Sequence, residues 1–330
     1  LPRSVLLVHP GEVDDEGRAS GAARESVLRD VLQTRSWRWK MRLPEFDVAQ
    51  PATLGEALKI LAEVKGAEPI AGGTNLMVDM RKGTHRPRVV VDVAALRDLH
   101  GIEVTGPEVV IGAATTIAEM LESPILMKHA PVLVLACSSF ANALIRNRAT
   151  VGGNLVTAAP CSDTAPALLT LDAEVKLASV RGTRRVPLDR YLVSAFSTVR
   201  RSDELLVSVR FPIPSATAAA AFRKMGLRKV SCMAKVDVAV MLDADAAGRC
   251  TSARIAIAAA SPIAVRARAA EAALVGKPIT PEAIAAAAVL TAKAAAPRAG
   301  SEYKLSVVQG LARRLLAEAA LALERGGTHA

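Results

Sequence analysis

From residue 53 onward the apolar residues fall into two alternating spacings. Leu54, Ala57, Leu58, Leu61 and Val64 repeat at the three-and-four interval of one helix face. A Thr53-x-x-Glu56 capping box stands ahead of them, and Lys65-Gly66 closes the segment. PIA (69–71) reads as a short strand, as do RVVVDV (88–93) and EVVIGA (108–113). Thr116 and Glu119 form a second capping box before a short helix, and 124–143 reads mostly as helix. DTAPALLTLDA then reads as helix, AEVKLAS as a strand, and ELLVSVRFP (204–212) as a strand that stops at proline. Helices and strands thus alternate from Met41 to about residue 212.

The loop-like PIPSATAAA marks a boundary near 212–220, after which the order changes. AAFRKMGLR, VDVAVMLDAD and SARIAIAAAS read as three strands, with a turn signal in DADAAGR. Three helices follow: AVRARAAEAALVG, PEAIAAAAVLTAKAAA and EYKLSVVQGLARRLLAEAALAL. Thr280 caps the second of these, with Pro281 in its first turn. Strands followed by helices predict a compact α+β domain with a sheet under a helical layer. No internal repeat has a fixed period.

The first 40 residues differ from the rest: they begin with Leu, hold both tryptophans and carry the polar run GEVDDEGRASGAARES. They lack the charge, apolar core and cleavage site of a signal peptide. The expectation is that Met41 is the natural start and that 1–40 is an extension outside the fold; a genuine flexible tail is the alternative.

Composition narrows the function. Half of the 330 residues are hydrophobic (51%), enough for a sizeable core. No apolar run reaches the roughly 18 residues that span a bilayer. The net charge is +10; residues 1–40 hold seven Lys/Arg and six Asp/Glu and contribute only +1 of it. The basic residues are scattered and aromatics make up only 3% of the chain, so no stacking platform for nucleic acid is present. Cysteines at 137, 161, 232 and 250 form no CxxC pair, and the five histidines form no HExxH. The expectation is four reduced thiols in a cytoplasmic protein, with no metal or iron–sulfur site of its own.

Two short stretches carry the candidate chemistry: IAGGTNLMVDM (70–80) and TVGGN (150–154). Paired glycines allow positive φ and close backbone approach. Successive N–H groups then point at one place and form a nest for an anion such as phosphate, which a following helix start reinforces. Thr74, Asn75, Thr150 and Asn154 add side-chain donors. One such pair is equally a strand-to-helix turn; two loops suit a pyrophosphate held from both sides. Neither loop is a P-loop or a GxGxxG fingerprint.

AGGTNLMVDMRKG followed by RNRATVGGNLVTAAPCSDTAPALLTLDAEVKL resembles the FAD-binding medium subunit of molybdenum hydroxylases, the family of carbon monoxide and xanthine dehydrogenases. AASPIAVRARAAEAALVGK and SEYKLSVVQGLARRLL resemble that family's C-terminal domain, so the likeness spans 41–330. It implies an α+β fold: a two-lobed FAD-binding domain of the vanillyl-alcohol-oxidase (PCMH) type at 41–217, then a smaller α+β domain at 218–330 with a three-stranded antiparallel sheet and helices. It implies that Ile70, Ala71, Gly72, Gly73, Thr74, Asn75 and Leu76 in the first loop, and Thr150, Gly152, Gly153 and Asn154 in the second, hold the FAD pyrophosphate. Asp163 matches a cofactor-contacting aspartate, with a helix N-cap as its plain alternative. Phe140, Leu206 and Lys224 match residues near the flavin; for each the alternative is an ordinary structural position. A cation at Lys224 would favour negative charge on the reduced flavin.

The resemblance also implies partners: a large molybdenum-cofactor subunit and a small [2Fe-2S] subunit, together a dimer of heterotrimers. Electrons would pass from the clusters through FAD to NAD, a quinone or another acceptor. No residue of this chain is expected to be catalytic toward the organic substrate. The alternatives are a stand-alone FAD-dependent reductase of the same fold and a scaffold subunit that has lost FAD.

Overall fold

The computed structural model describes residues 43–228 and 230–325, so the expectations for 1–40 and for Met41 lie outside the described residues. The first lobe holds three short parallel strands, β1 (Asp47–Ala49), β2 (Ala67–Ile70) and β3 (Val89–Asp92), in the spatial order β1-β3-β2. The apolar run of β3 suits its central place, where Val90 and Val91 are buried. Helix Leu54–Glu63 covers this lobe with Ala57, Leu58 and Leu61. At its start the Glu56 N–H donates to the Thr53 hydroxyl, while the Glu56 carboxylate accepts from Ala52 rather than Thr53.

The second lobe is an antiparallel sheet of β4 (Ile102–Thr105), β5 (Glu108–Gly112), β6 (Glu174–Ser179), β7 (Gly182–Pro187) and, after a small hairpin of β8 (Leu192–Ser194) and β9 (Ser197–Thr198), β10 (Leu205–Pro212). The spatial order is β4-β5-β10-β6-β7, so β10 comes last in sequence and lies in the middle. Leu205 through Val209 are all buried, as a strand covered on both faces requires. The 124–143 stretch is divided in the structure: helices Pro124–His129 and Pro131–Ser139 break at Ala130, at φ −146° and ψ 53°. Pro131 is the cause, because proline disfavours helical backbone at the residue before it. Thr116 and Glu119 make a full reciprocal capping box.

The C-terminal sheet runs β11 (Ala219–Gly226), β12 (Ala234–Ala244), β13 (Cys250–Ala258) and β14 (Val265–Arg266), all antiparallel; the last is a two-residue edge beyond the three long strands. Helices Arg268–Leu274, Pro281–Ala294 and Tyr303–Glu324 cover one face. Helix Pro281–Ala294 buries Ile284, Ala287, Ala288, Thr291 and Ala292, a single stripe at helical spacing. On the opposite face Phe222, Ala239, Met241, Ala256 and Ala258 join the core of the second lobe. Arg266 fastens the same junction. It donates to the Leu169 carbonyl and Asp172 before β6, and to Glu271 beyond the sheet.

Candidate functional site

The first glycine loop leaves β2 and enters the short helix Leu76–Lys82. Gly73 has φ +69°, a conformation that glycine adopts without strain. The loop's donors are open: among the described residues, the N–H groups of Gly72, Gly73, Thr74, Asn75 and Leu76 have no acceptor within the protein. Five successive unpaired N–H groups at a partly exposed turn are the physical requirement of an anion nest. Asn75 holds the N-cap position without a side-chain capping bond, so its amide is also uncommitted.

The second loop differs from its sequence expectation. Its N–H groups are spent: Val151 donates to the Thr115 carbonyl, Gly152 to the Ala113 carbonyl, Gly153 to the Thr150 hydroxyl oxygen, and Asn154 to the Thr150 carbonyl. No nest remains there. What it offers is the Thr150 O–H, which is still a donor after its oxygen has accepted from Gly153. Its glycines have packing reasons. A Cβ on Gly152 would lie 2.7 Å from the Ala113 carbonyl oxygen, and one on Gly72 would lie 1.7 Å from the Arg148 carbonyl oxygen. The backbone leading into the second loop therefore rests directly on the first.

Between the loops is a cleft of about 440 Å³ including its open mouth. Ala71, Thr150, Gly152, Gly153 and Leu206 line it, together with apolar Val93, Leu99 and Val156. Leu206 sits beside an irregularity in the pairing of β10 with β6. Ile70 packs beneath the first loop: its side chain would lie 3.0 Å from a Cβ on Gly73. Arg200, which sequence reasoning missed, also forms part of the wall. Its guanidinium is held by the Glu204 carbonyl, 2.8 Å away, and faces Glu68.

The remaining predicted residues gather at a second place. Lys224 Nζ donates to Asp163 Oδ2 at 2.8 Å and to the Ser139 carbonyl at 3.2 Å. Both side chains of this ion pair are almost wholly buried, at 6% and 7% exposure. Asp163 occupies the N-cap position of helix Thr164–Thr170 without making a capping bond; its alternative reading as a helix cap is set aside, because the carboxylate turns to Lys224 instead. Burial raises the Asp163 pKa, and the Lys224 charge opposes that rise. Phe140 follows Ser139 directly and packs against the large core. Asn154 joins the two places: its Oδ1 accepts from Ser162 and Thr164, both at 2.6 Å, on either side of Asp163. Asp237, an acidic residue inside apolar β12, was not singled out from sequence and belongs to this second cluster.

A family described as the FAD binding domain in molybdopterin dehydrogenase matches residues 44–214. One described as the CO dehydrogenase flavoprotein C-terminal domain matches 220–319. The xanthine dehydrogenase FAD-binding subunit of Escherichia coli O157:H7 is 33% identical over 231 residues, covering 68% of this chain and 79% of that protein. The nicotinate dehydrogenase FAD-subunit of Eubacterium barkeri is 34% identical over 214 residues, covering 63% of this chain and 72% of that protein. A chain of the carbon monoxide dehydrogenase structure from Hydrogenophaga pseudoflava superimposes with a TM-score of 0.81 at 31% identity, over 86% of this chain and 99% of that one.

Fold and cleft together define an FAD-binding oxidoreductase subunit of mixed α/β build. Within that class, the chain belongs to the molybdenum hydroxylase family, as an FAD-binding subunit of the carbon monoxide and xanthine dehydrogenase type. The residues present fit such a cofactor: an open run of donors suited to its phosphates, and an apolar cleft.

Proposed function

We propose that this chain is the electron-transferring flavoprotein of a molybdenum-containing dehydrogenase. The observation that carries the reading is the open N–H run from Gly72 to Leu76, which begins one residue after Ala71 in the cleft wall, in a chain of this family. Bound FAD would supply the exchange between single electrons and pairs. The first loop's donors, with the Thr150 hydroxyl opposite, would take the pyrophosphate oxygens. The apolar wall around Leu206 would exclude water, and Asn154 would keep the Asp163 turn in register with the second loop. Lys224, held by Asp163 and the Ser139 carbonyl, would place fixed positive charge where the cofactor gains electrons.

On this reading the domains divide at about 217, with 41–217 holding the cofactor and 218–330 closing over it. The electron source is a partner subunit carrying [2Fe-2S] clusters. Among the described residues no three His, Cys, Asp or Glu side chains converge as metal ligands. A large subunit would hold the molybdenum cofactor and the organic substrate, the assembly being a dimer of heterotrimers with NAD or a quinone as acceptor. No helix among the described residues is long and apolar enough to cross a membrane, and the thiols carry no disulfide there. We place the complex in the cytoplasm.

The test is the absorbance spectrum of the purified chain with identification of the released nucleotide. Flavin bands and released FAD are expected. A folded chain that is colourless and takes up no added FAD overturns the reading. The charge at Lys224 is tested separately: Lys224→Met removes one partner of a buried pair, a change that costs about 2–5 kcal/mol at binding sites. The FAD dissociation constant of a chain folded by circular dichroism should rise at least about tenfold. An unchanged constant in calorimetric titration would remove Lys224 from the site.

A further inference from the structure

Among the described residues, Asp237 is the buried carboxylate with both oxygens left without a partner. It lies mid-strand in β12, wholly buried, and neither carboxylate oxygen has a hydrogen-bond partner among the described residues. Asp163 Oδ1 is likewise buried and without a partner. The two facts have one remedy. The carboxyls face each other within hydrogen-bond reach, and Asp237 is directly cross-strand from Lys224. Two carboxylates and one ammonium in a dry site carry an uncompensated negative charge, which is expensive. One proton on the pair turns an acceptor into a donor, satisfies the open Asp163 oxygen, and leaves the cluster neutral.

We infer that Asp237 is a positioning residue of the cofactor site. It holds a proton as a neutral carboxyl and donates it to Asp163 Oδ1, leaving Asp163 Oδ2 for Lys224. The cofactor half of this inference rests on the FAD reading above; the proton half does not.

The environment supports it. Burial, and then the Asp163 charge, push the Asp237 acid well above the usual carboxylate range. The titratable groups facing it are few. Lys224 comes from β11, Asp163 and Cys161 from the turn before helix Thr164–Thr170, and Cys232 from the loop between β11 and β12. Cys137 on helix Pro131–Ser139 faces Asp163, and burial followed by that charge pushes its thiol up to about 12. The C-terminal helices do not enter: Val236 and Val238 point toward them, and Asp237 points the other way.

The consequence is a pH-sensitive grip. When alkali removes the shared proton to water, two anions face each other across one cation, and the Asp163–Lys224 geometry gives way. Asp237→Asn has the same shape, donates its amide to Asp163 and has no proton to lose.

Two measurements on the full chain test this. The first is infrared spectroscopy of the FAD-free protein with carboxyl-labelled aspartate. A buried protonated-acid carbonyl band is expected at neutral pH, lost as pH rises and absent in Asp237→Asn. The second is the FAD dissociation constant across the same pH range. It should weaken at least about tenfold in the wild type as the band disappears, since one proton released per binding site corresponds to tenfold per pH unit. It should stay flat in Asp237→Asn. Absence of the band at every pH, or its persistence in the variant, overturns the proton assignment. A band that titrates while FAD affinity does not follow overturns the positioning role. A chain that shows the band and binds no FAD at any pH upholds the proton assignment and refutes the cofactor reading instead.

Discussion

Gly72→Ala abolishes FAD uptake. The added methyl would sit 1.7 Å from the Arg148 carbonyl oxygen and 2.5 Å from its carbonyl carbon. Both obstacles are backbone, so no side-chain rotation relieves the contact. The two loops must part by well over an ångström, against normal separations of about 3.5–4.0 Å between carbon atoms. That movement opens the cleft wall at Ala71 and Thr150 and displaces the start of the Gly72–Leu76 N–H run. We expect less than a hundredth of the wild-type FAD affinity, read as flavin absorbance per protein after equilibration with excess FAD. Gly153→Ala is the control for the cause. Its Cβ meets only the Thr150 hydroxyl, at 3.0 Å, and the residue is exposed on a helix. That variant keeps the two loops in contact and asks only a small shift of the Thr150 hydroxyl, so it should retain more FAD than Gly72→Ala. Wild-type FAD binding by Gly72→Ala would show that the contact between the loops does not shape the site.

Arg266→Ala carries a large expected cost to stability. The guanidinium is 5% exposed and meets Glu271, itself 8% exposed, with further bonds to Asp172 and the Leu169 carbonyl. Removing it leaves the buried Glu271 with only the Ile255 N–H and the largely exposed Arg268, 3.7 Å away, as partners. Breaking a buried pair by deleting one partner costs about 3–5 kcal/mol. The loss should appear as a lower midpoint in denaturant unfolding with little change in slope. Arg254 remains paired with Asp172 in the variant, so Asp172 contributes little to the loss. A shift below about 1 kcal/mol would mean that the cluster is no stronger than a surface pair.

How much of this was legible in the sequence depends on where each signal resides. Strands with their own apolar pattern were readable, such as EVKLAS and the run that became β10, and so were helix starts with side-chain caps at Thr116 and Thr280. Edge strands were not. β4 and β7 are largely exposed and polar, and they exist because β5 and β6 offer them hydrogen bonds. In the site, the glycine loops were visible as letters, and their division of labour was not. One loop keeps its donors free and the other spends them on Ala113 and Thr115, carbonyls more than 35 residues away in sequence. The pairing of Asp163 with Lys224 spans 61 residues and has no local signature. Asp237 did leave a trace: a single acid within VDVAVML, whose neighbours are otherwise all apolar.

The central place of β10 sets the order in which this chain can be assembled. β5 and β6 are separated by more than sixty residues and neither hydrogen-bonds the other; each waits for β10. Leu205 and Leu206, which close the cleft, belong to that same last strand. During synthesis the growing chain therefore carries two unpaired strand edges until residue 212 has left the ribosome. Such edges invite pairing with other chains. A nascent chain has no finished cofactor cleft until that moment, so flavin cannot act as a template for the early steps and can only seal a lobe that has already closed.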